Sequence, residues 1–129
     1  MIYIPDLAPG GAERVALNLA SAFQDMGIPV NLICNSYQAE GRLPLPDGVR
    51  VNNLGVDRLF AAVPKLAAEL ERLRPFAVIS FLTATNAVAA MARRRLTQAP
   101  RMIVTEHIHP SSACRFRPDW AKRLTLFAM

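Results

Sequence analysis

A layered α/β fold, with a parallel sheet and helices on both of its faces, is what three observations predict. Short apolar runs alternate with longer stripes of helical period along the chain, the pattern of successive β-α-β units. Two adjacent glycines, Gly10 and Gly11, close the first apolar run and open a helical pattern. A composition of 52% apolar and 19% charged residues over 129 positions suits one globular domain with a real core, and leaves no room for a second of full size.

The elements follow in order. Residues 2–4 are a short apolar strand. The first helix is expected over residues 11–26, with Val15, Leu19, Phe23 and Met26 on one face and Gly27 as its C-terminal cap. Residues 30–34 make the second strand, in which Cys34 is a packing residue. Gly41, Pro44, Pro46 and Asp47-Gly48 mark residues 35–48 as a loop with turns, and residues 49–54 form the third strand. Leu59, Val63, Leu66, Leu70 and Leu73 recur at helical spacing; Pro64 either kinks that helix or marks its start, and Pro75 stops it. Residues 76–82 are nearly continuously apolar, as an interior strand covered on both faces requires. Thr83, Thr85 or Asn86 then caps an alanine-rich helix that ends at Arg93-Arg94-Arg95, where positive charge favours the helix dipole. Residues 102–105 are the fifth strand, and a loop holding Pro110, Ser111 and Ser112 leads to a last helix from Pro118 onward.

The formal charge of +5 is unevenly spread: from Arg93 onward eight Lys or Arg face only Glu106 and Asp119. A basic stretch of this kind suits anionic lipid or phosphorylated ligands, and equally a solvated surface. Nothing resembles a nucleic-acid recognition element, so no nucleic-acid partner is expected. Cys34 and Cys114 lie far apart, with no histidine pair at ligand spacing, and neither a disulfide framework nor a metal site is suggested. No secretory signal is visible, and a reducing cytoplasm is the expected setting. Residues 76–92 are uncharged and precede three arginines, imitating a membrane span. Ser80, Thr83, Thr85 and Asn86 interrupt them, and a strand plus a helix is the better reading.

Chemistry is expected beyond the carboxyl ends of the strands, where an open parallel sheet binds its ligands. The loops after strands one, four and five should share one crevice. They carry Gly10-Gly11, then Thr83 and Asn86, then Glu106-His107 and His109. Glycines permit φ > 0 and leave room for a ligand beside the main chain, and the helix that follows aims unpaired N–H groups at an anion. A tight strand-to-helix turn uses glycine without any ligand as well. Histidine at a strand end can hydrogen-bond or exchange a proton near neutral pH. Glu13 and Arg14 sit in the first helical turn, where Glu13 complements the dipole and Arg14 can reach an anionic acceptor or form a salt bridge.

The stretch Ile2-Tyr3-Ile4-Pro5-Asp6-Leu7 followed by Gly10-Gly11-Ala12-Glu13-Arg14-Val15, and the later Val104-Thr105-Glu106-His107, resemble the family 4 glycosyltransferases of the GT-B fold. The resemblance spans essentially the whole chain. It implies a Rossmann-like N-terminal, acceptor-side domain covering residues 1–129, truncated, with the C-terminal nucleotide-sugar domain absent. It further implies a retaining, hexosyl-type transfer from a nucleotide-sugar donor to a glycan or lipid-linked acceptor of the cell envelope. His107 would face the transferred sugar, with His109 an alternative; Gly10, Gly11, Arg14, Thr83, Asn86, Glu106 and His109 would bind substrate. No cofactor or metal is implied, the nucleotide-sugar being a co-substrate gripped mainly by the second domain through a lysine, an arginine and an EX7E-type motif that have no counterpart here. The isolated chain is therefore expected to be inactive.

Two readings stand beside this one. A non-catalytic α/β module could hold a phosphorylated small molecule at the glycine turn. Separately, Arg115, Arg117, Lys122 and Arg123, interleaved with Phe116 and Trp120, suit peripheral contact with anionic lipid at the inner face of the plasma membrane.

Overall fold

The computed structural model describes residues 1–38, 41 and 43–107. Along the chain run β1 (Ile2–Ile4), α1 (Gly11–Asp25), β2 (Asn31–Cys34), β3 (Arg50–Asn53), a single 3-10 turn (Leu59–Ala61), α2 (Ala62–Leu73), β4 (Ala77–Phe81), α3 (Thr83–Arg93) and β5 (Arg101–Thr105). The strands form one parallel sheet in the order β3-β2-β1-β4-β5, the Rossmann-like arrangement expected of a GT-B N-terminal half. The loop and helix expected beyond residue 107, His109 included, lie outside the described residues.

Residues that pair in a parallel sheet share a face, so the register sorts the core. Ile2 pairs with Leu32 and Ile79, and Tyr3 with Ile33 and Ser80. One face presents Ile2, Ile4, Leu32, Cys34 and Phe81 and packs on Ala12, Ala16, Leu17 and Ala20 of α1. The opposite face presents Tyr3, Ile33 and Val78 and packs on Val63, Leu66 and Leu70 of α2 and on Val88 and Ala92 of α3. Strand β1 lies in the middle, buried along its whole length.

Helix α1 bears out half of the expected stripe, since Leu19 and Phe23 pack against the core, and adds alanines to the packing face. Its alanines meet the sheet, because small side chains let the helix lie close to it. Val15 is 44% exposed and Met26 70%, while Leu19 and Phe23 are half-buried. This larger stripe turns toward β4 and β5: Val15 shares a hollow with Leu82, and Phe23 shares another with Ile79 and Ile103. The helix ends as expected at Gly27, whose φ of 73° belongs to the left-handed region. Its N–H donates to the Gln24 carbonyl at 2.9 Å and that of Ile28 to Phe23 at 2.8 Å, the paired bonds of a Schellman cap.

Pro64 falls in the first turn of α2, where an N–H has no intrahelical partner, so it marks a start and not a kink. Residues 76–92 resolve into β4 and α3, as expected. Among the described residues no helix is long and apolar enough to cross a membrane.

A side-chain clamp joins the carboxyl ends of β4 and β5. The Ser80 hydroxyl donates to Asn86 Oδ1 at 2.6 Å, Asn86 Nδ2 donates to the Thr105 carbonyl at 3.0 Å, and the Thr105 hydroxyl donates to the Ser80 carbonyl at 3.0 Å. The expected side-chain cap on α3 is not made, since Leu82 holds the cap position. Thr85 instead turns its buried hydroxyl back onto the carbonyls of Phe81 and Leu82.

Two outcomes test this packing. Ala16→Leu, at a site with no exposure, should destabilise the fold by about 1–3 kcal/mol in urea unfolding through overpacking, and an unchanged midpoint would contradict the close approach of α1. Asn86→Ala removes two bonds and strands the Ser80 hydroxyl, with an expected loss of about 1–3 kcal/mol in the same measurement.

Candidate functional site

The strand order puts β1, β4 and β5 side by side, so the loops leaving their carboxyl ends meet at one rim. There, Gly11, Ala12, Glu13 and Val15 from the start of α1 enclose a hollow of about 420 Å³ together with Leu82 and His107. Thus Gly11 and His107, distant in sequence, are walls of the same space. The strand order turns back between β1 and β4, which makes this a topological switch point, with α1 on one face of the sheet and α2 and α3 on the other.

Each wall has a local reason. Gly10 is the N-cap of α1 in extended backbone, with φ −161°, and Gly11 is the first helical residue. Neither needs the left-handed conformation that glycine favours, which corrects one of the two reasons for expecting glycine here. The other reason is room. A methyl group at Gly11 would meet nothing within 4 Å, whereas one at Gly10 would collide with the Glu13 carboxylate, which folds back over the turn. Glu13 thus puts a negative charge at the positive end of the helix dipole. The N–H groups of this first turn have no partners inside the helix.

His107 follows β5 and is exposed, yet its ring is not loose. It stacks on the buried Phe81 ring with centroids 5.3 Å apart and planes 6° from parallel. Phe81 ends β4 on the α1 face of the sheet, so the imidazole is held flat against the core at the mouth of the crevice.

Leu82, between β4 and α3, is a wall that the sequence does not announce. Its φ of 73° and ψ of 144° are values that non-glycine residues rarely adopt, at a cost of about 1–3 kcal/mol. The conformation is held from both sides: its N–H donates to the Thr105 carbonyl at 3.1 Å, and its carbonyl accepts from the Asn86 N–H at 2.9 Å. No residue type signals it, because leucine there reads as the end of an apolar strand. Val15 is different, since its place one helical turn beyond Gly11 on the same side is a usable signal.

The remaining predicted residues are placed differently. Thr83 donates its hydroxyl to the Glu106 carboxylate, a bridge between the loops after β4 and β5 outside the hollow's lining. Asn86 has both ends of its amide engaged in the clamp. Arg14 points to the other flank of α1, where it borders a separate hollow with Leu17, Leu43 and Pro44. His109 lies outside the described residues. Among the described residues, no group of three or more His, Cys, Asp or Glu could hold a metal ion.

The arrangement offers a main-chain approach at Gly11, an anion-favouring helix start and a fixed imidazole around one open space. A family model described as Glycosyltransferase Family 4 matches residues 9–129. No curated protein matches the chain. The matched span takes in the glycine turn, β2 to β5 and the His107 loop, so the chain belongs to glycosyltransferase family 4 and carries a glycosyltransferase-type domain of Rossmann-like fold.

Proposed function

We propose that this chain is the acceptor-side domain of a retaining glycosyltransferase that moves a hexosyl group from a nucleotide-sugar to a glycan or lipid-linked acceptor in the cytoplasm. The observation that supports it is the shared hollow of Gly11 and His107 at the switch point of the sheet. Such a transfer develops positive charge at the anomeric carbon and negative charge on the departing phosphate, and the two must be stabilised in different places. N–H groups at the start of α1 suit the phosphate end. In this reading the imidazole stacked on Phe81 is the polar ring that hydrogen-bonds the sugar, and its fixed plane removes an ordering cost at the moment of reaction. Glu13 must swing from the turn when an anion enters, because its carboxylate holds that position now. The donor's nucleotide is assigned to a second domain outside this sequence, so transfer requires the intact enzyme.

Gly11 gives the sharper test because its role in folding and its role in binding predict opposite results. Gly11→Ala places a better helix former at the first helical position, so stability should stay level or rise by up to about 1 kcal/mol. Transfer by the intact enzyme should nonetheless fall at least tenfold, a loss of about 1.4 kcal/mol or more in transition-state stabilisation. Undiminished activity in that variant would sink the reading. His107→Ala should lower kcat on the order of 100-fold with the melting temperature little changed, as expected for an exposed ring with a catalytic contact. Donor turnover at the normal rate in this variant would remove the histidine from the mechanism.

A further inference from the structure

The strained residue between β4 and α3 also breaks the alternation of the strand before it. Side chains along a strand point to opposite faces in turn. Ile79 and Phe81 belong to the α1 face of the sheet, Val78 belongs to the α2 and α3 face, and Ser80 bonds Asn86 of α3. Residue 82 should therefore turn toward α3. Leu82 packs instead with Phe81 in the cluster on the α1 side, and it lines the hollow with Gly11, Ala12 and Val15. Two consecutive residues thus face the same way, and the backbone turn at Leu82, with its φ of 73°, is what reverses the side chain. A connection that needed only this backbone would be met by glycine, which adopts it freely. Leucine bears the strain, and it is half-buried with its remaining surface on the open space.

We propose that Leu82 is a specificity-determining residue, the apolar wall on which a C–H face of the sugar rests; this follows only if the hollow is the site of sugar transfer. The lining divides in kind. Ala12, Val15 and Leu82 offer apolar side chains, while the Glu13 carboxylate, the His107 ring and the main chain at Gly11 offer hydrogen bonds. A pyranose divides likewise, with hydroxyls around its edge and C–H bonds on its faces, and apolar walls with a few placed polar groups are what orient a small ligand. Val15, 44% exposed in the first turns of α1, extends the wall. A hydroxyl aimed at Val15 and Leu82 loses its bond to water and gains none, so the wall selects the sugar configuration that turns a C–H bond toward it. The wall also stands at a fixed place, because the Thr105 carbonyl and the Asn86 N–H pin the Leu82 main chain to β5 and α3.

The test is a titration of the 129-residue chain at constant pH with α-D-glucose 1-phosphate and, separately, with inorganic phosphate, read by NMR from the imidazole C–H signals of His107. The sugar phosphate should bind about fivefold tighter than inorganic phosphate, the order expected when one face of a ring is buried on apolar side chains. Leu82→Gly should abolish that advantage and leave phosphate binding unchanged, because glycine keeps the turn and takes away the wall. Val15→Ser, at an exposed position where folding is not at stake, should reduce the advantage, and Leu82→Met, which stays apolar, should preserve it. Equal affinities for the two probes in the unaltered chain overturn the proposal. So does an advantage that survives both Leu82→Gly and Val15→Ser, and so does a weakening of both probes alike by both variants. Phosphate binding with a sugar advantage indifferent to Leu82 and Val15 sinks the wall alone, whereas an imidazole that responds to neither probe removes the sugar-transfer reading and the wall with it.

Discussion

The burial of β1 on both faces is the constraint from which the rest follows. Three residues, Ile2, Tyr3 and Ile4, are closed off from solvent, and a strand this short has little pairing of its own. It is held because β2 and β4 flank it in parallel and helices cover it from both sides. The one polar group it buries, the Tyr3 hydroxyl, donates to Asn35 Oδ1 at 2.6 Å. Desolvation raises the ionisation of that phenol well above its ordinary range, so it remains a neutral donor. With β1 in the middle, β2 and β3 lie on one side of it and β4 and β5 on the other, and the crevice opens where the two halves part.

Rigidity at the crevice comes from hydrogen bonds between the ends of neighbouring strands. Ser80, Asn86 and Thr105 lock β4 to β5, and Thr83 with Glu106 bridges the loops just beyond. This network holds Leu82 in a conformation it would not adopt alone, and Leu82 and His107 become adjoining walls. Polar residues near a site are thus divided between building it and lining it. Here the builders outnumber the liners, and the open space is bordered by backbone, apolar side chains, the acidic Glu13 and one imidazole.

How much is legible in the sequence varies with the physics of each feature. Gly27 and Pro75 punctuate helices through local backbone preference, and both stand where local rules put them. The Phe76 to Leu82 run, observed as the strand Ala77–Phe81, is legible as an interior strand because a short, nearly continuously apolar segment must be covered on both faces. The face of α1 is legible only in part: Leu19 and Phe23 pack against the core, while Val15 and Met26 do not, since periodicity shows that a stripe is apolar without showing which neighbour it meets. Alanines carry little hydrophobic signal, yet close packing against a sheet selects them. Asn86 is legible as a polar residue at the right strand end, but its partners, Ser80 and Thr105, are fixed by the register of β4 against β5.

By itself the sequence determined the family and the succession of strands and helices up to β5, with their ends placed to within a few residues, because these depend on neighbours a few positions apart. Only the tertiary structure decided that Gly11 serves by leaving space and not by its φ, that Arg14 lies on the far flank of α1, and that His107 is held flat on Phe81. Those facts depend on which strands lie side by side and on how closely a helix approaches them, and such distances between remote parts of the chain are set by packing.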